Sequence, residues 1–420
     1  MSSTADRWIL DRFNIFSSVK RHPSGQEQSI RIPLELILRI LDLVSQDCID
    51  DIDRQRFHSN LACVNRTFSL LYGRREWRIV GARAGAQVDD LIQRLKSDRT
   101  GQENRWIEGI EHEDLTRDFK GRQWADFWPE LRRRCKHLTW VHLGRPSIPP
   151  SPTRSVCGHT LFSMSGITTL RLVHLEVAHS LTPSTFFGKK PHLVPLIPLK
   201  LRHLVLDRVQ ISHILYEKEL DSLFSPPEDC HLVSLFVANL KLTTFVPKPD
   251  TLTAPLRAFV RRNARTLQAL HYSRLCATRV EPETPFFTPG FLLPNLRLLS
   301  LSLLHFNKDV LSAVPNLDHL TLTLCDLVGQ HDDNDRARVI KEGGALLIET
   351  LSDRSALKFL KLLVLPVREA APRVNGSEWE GEEAAAQAAG VKVERWDMGE
   401  RGGVEKRFRS SVRDALLERM

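Results

Sequence analysis

The sequence predicts an α/β protein: a short N-terminal helical module, then an irregular solenoid of leucine-rich repeats with parallel strands on its concave face and helices and loops outside. Three observations carry that reading. A six-residue apolar pattern returns again and again along the chain, helical periodicity appears between several of its copies, and a different, doubly helical pattern precedes the first copy.

The repeat has the form apolar, two variable, apolar, one variable, apolar. It reads cleanly from Leu201, Leu232, Leu267, Leu296, Leu317 and Leu357, and more loosely from Ile107, Leu138, Ile167 and Val391. The nine intervals between these starts average about 32 residues, the scale of a solenoid unit. In a strand, alternate side chains share a face, so the fourth and sixth positions point into a core and the fifth points away. One such unit cannot bury its apolar face alone; stacked neighbours make a continuous core.

Several connecting segments read as return helices. Leu256–Ala264 and Arg336–Leu351 carry apolar residues at helical spacing, the second entered through Asp332-Asp333-Asn334-Asp335. Glu378–Ala389 is rich in Glu and Ala and is followed by Gly390, a C-terminal stop. The prolines at 183, 191, 195 and 198 make that connection an irregular loop. The array is expected to begin at a strand around Ile79-Val80, followed by a helix near Val88–Leu95. It is expected to close with a capping helix in 401–420, whose Phe408, Val412, Ala415 and Leu416 form one apolar stripe over the open end of the solenoid.

Ahead of the repeats, Ile32-Pro33-Leu34-Glu35-Leu36-Ile37-Leu38-Arg39-Ile40-Leu41 places Pro33 in the first turn of a helix that is apolar nearly all round. An acidic loop, Ser45–Asp53, leads to a second helical stretch, Asn60–Tyr72, which contains Cys63-Val64-Asn65-Arg66-Thr67-Phe68. Such a pair is too small to bury all this apolar surface, and a contiguous exposed patch marks a partner site.

These residues resemble the F-box: the Ile-Pro-x-Glu-(Leu/Ile)-(Leu/Ile) opening, the Cys-Val-Asn-Arg-Thr-Phe segment and the downstream Trp77, over about 50 residues from Arg31 to Val80. With the solenoid, the chain is similar to the leucine-rich-repeat F-box proteins, particularly the divergent fungal type. The resemblance implies a substrate-recognition adaptor, in which the F-box docks on the Skp-type linker subunit of a cullin–RING ubiquitin ligase and the repeats hold a target protein. The positions it carries over for the linker subunit are Ile32, Pro33, Leu34, Leu36, Ile37, Ile40 and Leu41 on the first helix, and Val64, Phe68 and Leu71 on the second. Two mild departures stand out: Ile32 replaces a commoner Leu, and Phe68 stands where many members have Trp. The loop between the helices is longer than in compact members. Expected boundaries are a flexible tail at 1–29, the F-box-like module at 30–80, the solenoid at 81–400 and the capping helix at 401–420. The alternative is a repeat scaffold unconnected to ubiquitin, in which the first helices only cap the array.

Composition excludes several other classes. With 42% hydrophobic and 26% charged residues the chain has an ordinary core-forming balance. The seven cysteines show no CxxC pair, which argues for free thiols over a disulfide framework or a zinc module. No apolar run reaches membrane-spanning length and no signal peptide opens the chain, so a cytoplasmic or nuclear location is expected. The net charge of +8 is spread out; its densest run, Arg132-Arg133-Arg134-Cys135-Lys136, falls at the end of a predicted helix, where cations complement the dipole. Nucleic acid is therefore not an expected partner.

No catalytic signature emerges, and no cofactor or metal is expected. Gly81 and Gly85 match no phosphate loop, His331–Asp335 is out of register for a calcium loop, and Glu111–Asp114 lacks a second histidine at metal spacing. The candidate substrate-facing surface is the concave face. Fifth positions give His142, Arg171, Val205, Phe236, His271, Ser300, Thr321 and Lys361, and third positions add Trp140, His203 and His319. Trp140 and Phe236 are the candidate anchors, since large aromatics dominate interface energies.

Overall fold

The computed structural model describes residues 34–46, 57, 58, 60, 61, 79–82, 93, 96, 97, 107, 109–112, 131, 133–144, 155–157, 166–173, 176–178, 200–212, 231–243, 253–273, 286–323, 333–353, 357–367, 379–397 and 403–417. The chain divides into two compact units, residues 1–72 and 73–420.

In the first unit, helix α1 spans Leu34–Gln46. Leu41 is buried against Phe57 and Leu61, which are themselves helical, with Ile37, Leu38 and Val44 packed at the edge of that cluster. Leu36, Ile40 and Leu43 lie on the opposite side and are 51, 48 and 56% exposed.

The second unit is built on an eleven-stranded parallel sheet. Its strands are β1 (Ile79–Ala82), β2 (Gly109–His112), β3 (Trp140–Leu143), β5 (Thr169–Val173), β7 (His203–Asp207), β9 (Ser234–Ala238), β11 (Ala269–Ser273), β12 (Leu298–Ser302), β13 (His319–Thr323), β14 (Leu362–Val367) and β15 (Lys392–Asp397), joined in that order. β1 pairs with β2, so the array begins at the strand around Ile79-Val80 that the sequence reading expected. The first, fourth and sixth positions of the repeat are buried in strand after strand: Leu201, Leu204 and Leu206, then Leu232, Leu235 and Val237, then Leu296, Leu299 and Leu301. From β5 to β14, each strand of this sheet is entered by a pair of backbone bonds from the preceding repeat, as when Arg202 N and His203 N both donate to Thr168 O. The Pro-Asn-Leu turns add a side-chain tie, Asn316 Nδ2 donating to Pro294 O at 2.8 Å.

A second parallel sheet, absent from the sequence reading, flanks the first. It contains β4 (Ser155–Cys157), β6 (Glu176–Ala178), β8 (Gln210–Ser212) and β10 (Lys241–Thr243). Arg208 and Asn239 turn the corner into it with φ of 52° and 53°, a left-handed conformation that Asn tolerates better than most residues. The apolar residues just after the corner, Val209 and Leu240, are buried beneath it.

The outer layer holds α2 (Thr253–Arg262), which buries Leu256, Phe259 and Val260, the short α3 (Lys308–Ala313) capped by Asn307, α4 (Asp333–Ser352) and α5 (Glu380–Ala388). The expected helices thus form at 256–264, 336–351 and 378–389 to within a few residues. The expected helix near Val88–Leu95 falls largely outside the described residues.

Two copies are out of register with the sequence reading: the terminal one, read from Val391, is off by one residue, since β15 aligns Glu394 with Val364, and the one read from Leu357 is off by three. β14 aligns Thr321 with Val364, so its core residues are Leu363 and Leu365 and its fifth position is Val364. Leu360-Lys361-Leu362-Leu363-Val364-Leu365 satisfies the same pattern three residues later. The earlier copy is consumed by the turn, where Leu360 N bonds Leu357 O and both leucines are buried. Lys361 therefore precedes the strand, exposed, and is not a concave position.

Candidate functional site

Strand alternation places the third, fifth and seventh positions on the face opposite the leucine core. The register sets the fifth positions side by side: His142 beside Arg171, Arg171 beside Val205, Val205 beside Phe236, Phe236 beside His271, and His271 beside Ser300. The sequence-predicted row is thus assembled, apart from Lys361.

Its environment differs from the expectation. A helix, α6 (Gly403–Leu417), lies across this face, and the chain's own side chains cover the row. The expected cap over the open end of the array is corrected accordingly. The apolar stripe of α6 packs instead against the inside of the sheet, on Val205, Phe236, Ala269 and Leu298. Phe408 and Val412 are buried with these four residues and Ala238, and Val404 packs at the margin. His142, Arg171, Val205, Phe236 and His271 are accordingly buried, not solvent-facing.

The middle of the groove is aromatic. The His271 ring stacks on Phe236 with centroids 4.2 Å apart and planes at 12°, and Phe408 closes over both at 5.4 and 6.1 Å. The His271 ring lies against Ser300 Oγ at 2.7 Å through Nδ1 and Ser273 Oγ at 3.2 Å through Nε2. Burial holds the imidazole down to about 3, so it is neutral at physiological pH.

One end of the groove is ionic. Arg171 Nε donates to Glu405 Oε1 at 2.7 Å and Nη2 to Oε2 at 2.5 Å, a two-pronged pair with both side chains buried. Burial works to raise the Glu405 carboxyl, but the charge and hydrogen bonds of Arg171 outweigh it and hold the group below the ordinary carboxylate range. Arg171 Nη1 also contacts the His142 ring, and burial together with that cation keeps His142 well below its usual value. Asp207, on the same face, is pushed up to about 6, chiefly by burial.

At the far end, Arg407 Nη2 meets Glu394 Oε2 of β15 at 2.5 Å and its guanidinium lies over the Trp396 ring at 5.5 Å. Arg171 on β5 and Glu394 on β15 stand seven steps apart along the sheet. In a flat sheet that separation would be about 34 Å. Glu405 and Arg407 are two residues apart, so the sheet curls around α6.

Of the remaining predicted positions, Trp140, His203 and His319 stay half-buried at the strand entries, and His203 Nδ1 lies 2.8 Å from Ser234 Oγ. Thr321 is half-buried and Ser300 buried. For the linker-subunit positions, Leu36 and Ile40 are exposed, Ile37 is half-buried and Leu41 faces the interior of its unit. Leu34 lies in α1; Ile32, Pro33, Val64, Phe68 and Leu71 lie outside the described residues. Glu405 and Arg407 were missed as groove residues. The i, i+4 spacing of Glu405 and Arg409 and the stripe at Val404, Phe408 and Val412 mark an amphipathic helix, yet nothing local says which surface it covers.

No group of His, Cys, Asp and Glu able to hold a metal ion occurs among the described residues, and no described helix is long and apolar enough to cross a membrane. No protein-family model matches the chain, and no curated protein matches it.

Proposed function

We propose that this protein is a non-catalytic substrate-recognition adaptor of a Skp–cullin–F-box ubiquitin ligase. The N-terminal helical module docks the Skp-type linker subunit, and the leucine-rich solenoid holds the target protein. The observation that carries the reading is the stripe Leu36–Ile40–Leu43, spaced four and three residues apart on one side of α1 and exposed by about half. Leu41, on the other side, already fills the interior with Phe57 and Leu61. Three large aliphatic side chains left in water along one stripe are a helix-face docking surface. Tethering two partners through one chain raises their effective concentration without chemistry.

The test is capture of a purified Skp-type linker subunit by the full chain, compared with the Leu36→Asp, Ile40→Asp double variant. Stoichiometric capture by the wild type, lost in the variant while the solenoid stays folded, supports the adaptor. No capture by the wild type overturns it and leaves the scaffold reading.

A further inference from the structure

The groove inside the sheet matches α6 residue by residue. Arg171 is met by a carboxylate with both oxygens engaged, the stacked Phe236–His271 pair is met by an aromatic ring, and the Val205, Ala269 and Leu298 floor is met by aliphatic side chains. These groups sit at Glu405, Phe408 and Val412, at i, i+3 and i+7 of one helix, which is the spacing by which helices lie in grooves. On the opposite side of α6, Ser410 is exposed.

α6 also differs from every other element of its unit. It contributes no strand to either sheet and, among the described residues, none to the leucine core between sheet and outer helices. Its apolar contacts form a separate cluster on the opposite face of the sheet. Withdrawal of α6 breaks no inter-strand hydrogen bond and leaves that core closed. Much of what holds it is ionic: Glu405 with Arg171, and Arg407 with Glu394. A buried ion pair adds little net stability but strongly selects which side chain may occupy the site.

We propose that the concave groove is a receptor for an amphipathic helix of a partner protein carrying an acidic residue, an aromatic three positions later and an aliphatic four positions after that, and that α6 is the internal ligand such a helix displaces. An occupant already tethered excludes any helix lacking the acid or the aromatic, so the groove opens only to a partner that reproduces both. The proposal names the partner class of the solenoid and stands apart from linker-subunit docking, since the groove lies wholly within residues 73–420.

The probe is a fluorescent synthetic peptide spanning residues 403–417, titrated into the full chain and followed by anisotropy. Wild type is expected to bind it weakly, because the internal helix competes at high effective concentration. The variant Glu405→Ala, Phe408→Ser, altered only in α6 and unable to pair with either charge at position 171, is expected to bind at least tenfold more tightly. Adding Arg171→Glu to that variant is expected to abolish binding, and a peptide with Glu405→Lys is expected to restore it. Equal affinity of wild type and α6 variant, or failure of the charge swap to rescue, overturns the proposal. So does concentration-dependent exchange of α6 between copies, which would make a second copy the occupant. Hydrogen exchange on the unaltered chain gives an independent reading. Amides of 403–417 are expected to exchange well before those of β7, β9 and β11, and exchange only together with those strands would show that α6 never leaves. Linker-subunit capture is expected to be unchanged in every variant, which keeps this test separate from that of the adaptor reading.

Discussion

Arg171 and Glu405 are 234 positions apart in the chain and share a buried two-pronged ion pair inside the curve of the sheet. Arg409 also reaches Glu405 Oε1 at 2.6 Å from one turn further along α6, the neutral His142 ring lies beside Arg171, and the buried Asp207 carboxyl is close enough to feel both charges. The pair ties one end of α6 to β5.

Removing one member of a buried pair costs about 3–5 kcal/mol when the other charge stays trapped. Here Glu405 is carried on a helix that can withdraw and rehydrate it. Arg171→Met alone is therefore expected to lower the protection of 403–417 in hydrogen exchange while leaving the main denaturation midpoint within a few degrees of wild type. The double variant Arg171→Met, Glu405→Met is expected to restore that protection, because apolar replacements of similar volume suit a buried site. A fall in the global midpoint equal to the full cost, with no local opening, would show that α6 is fixed.

Asp207 gives the fold a pH dependence of definite sign. Its carboxyl ionises at about 6 in the folded protein against 3.8 in a model peptide, because it is buried close to Glu405. A raised carboxylate contributes stability below pH 3.8 that is lost as pH climbs through 6. Asp207→Asn is therefore expected to stabilise the protein by roughly 3 kcal/mol at pH 7.5 and by roughly 1 kcal/mol at pH 4.5. Urea unfolding at the two pH values checks this, and equal effects at both would mean that the side chain's packing matters and its charge does not.

Much of the solenoid was legible because its signal is local and repeated. Leu204 and Leu206 face the core for the same reason as Leu235 and Val237, and one period of alternation settles the inward and outward faces together. The second sheet left a fainter trace: Leu175 and Val177, Val209 and Ile211, and Leu240 and Leu242 fall eight and ten residues after Ile167, Leu201 and Leu232. A longer template would have found it. The position of α6 had no such trace, since the contact between residues 171 and 405 depends on sheet curvature, which accumulates over many repeats of unequal length. The apolar stripe was legible; its destination was a tertiary choice between two apolar surfaces.

The register of β14 has a direct test. Leu357-Lys-Phe-Leu360-Lys361-Leu362 and Leu360-Lys-Leu-Leu363-Val364-Leu365 fit the repeat equally well, and the structure selects the second. Val364 is 2% exposed, whereas Lys361 is exposed ahead of the strand. Val364→Ala is expected to destabilise by about 2 kcal/mol and Lys361→Ala by less than about 0.5 kcal/mol. The reverse order in denaturant titration would restore the earlier register.

The two sides of α1 make opposite predictions for neighbouring residues. Leu41 is 4% exposed between Phe57 and Leu61, so Leu41→Ala removes core and is expected to cost about 2–5 kcal/mol, seen as loss of protection in α1. Ile40, one residue away, is 48% exposed and fills no cavity. Ile40→Asp is expected to leave the protection of α1 within about 0.5 kcal/mol of wild type. It should also reduce binding of a hydrophobic dye by shrinking the apolar patch, and weaken capture of the linker subunit at least tenfold. Retained capture would place the docking surface elsewhere, and loss of protection in α1 would mean that Ile40 belongs to the interior of its unit.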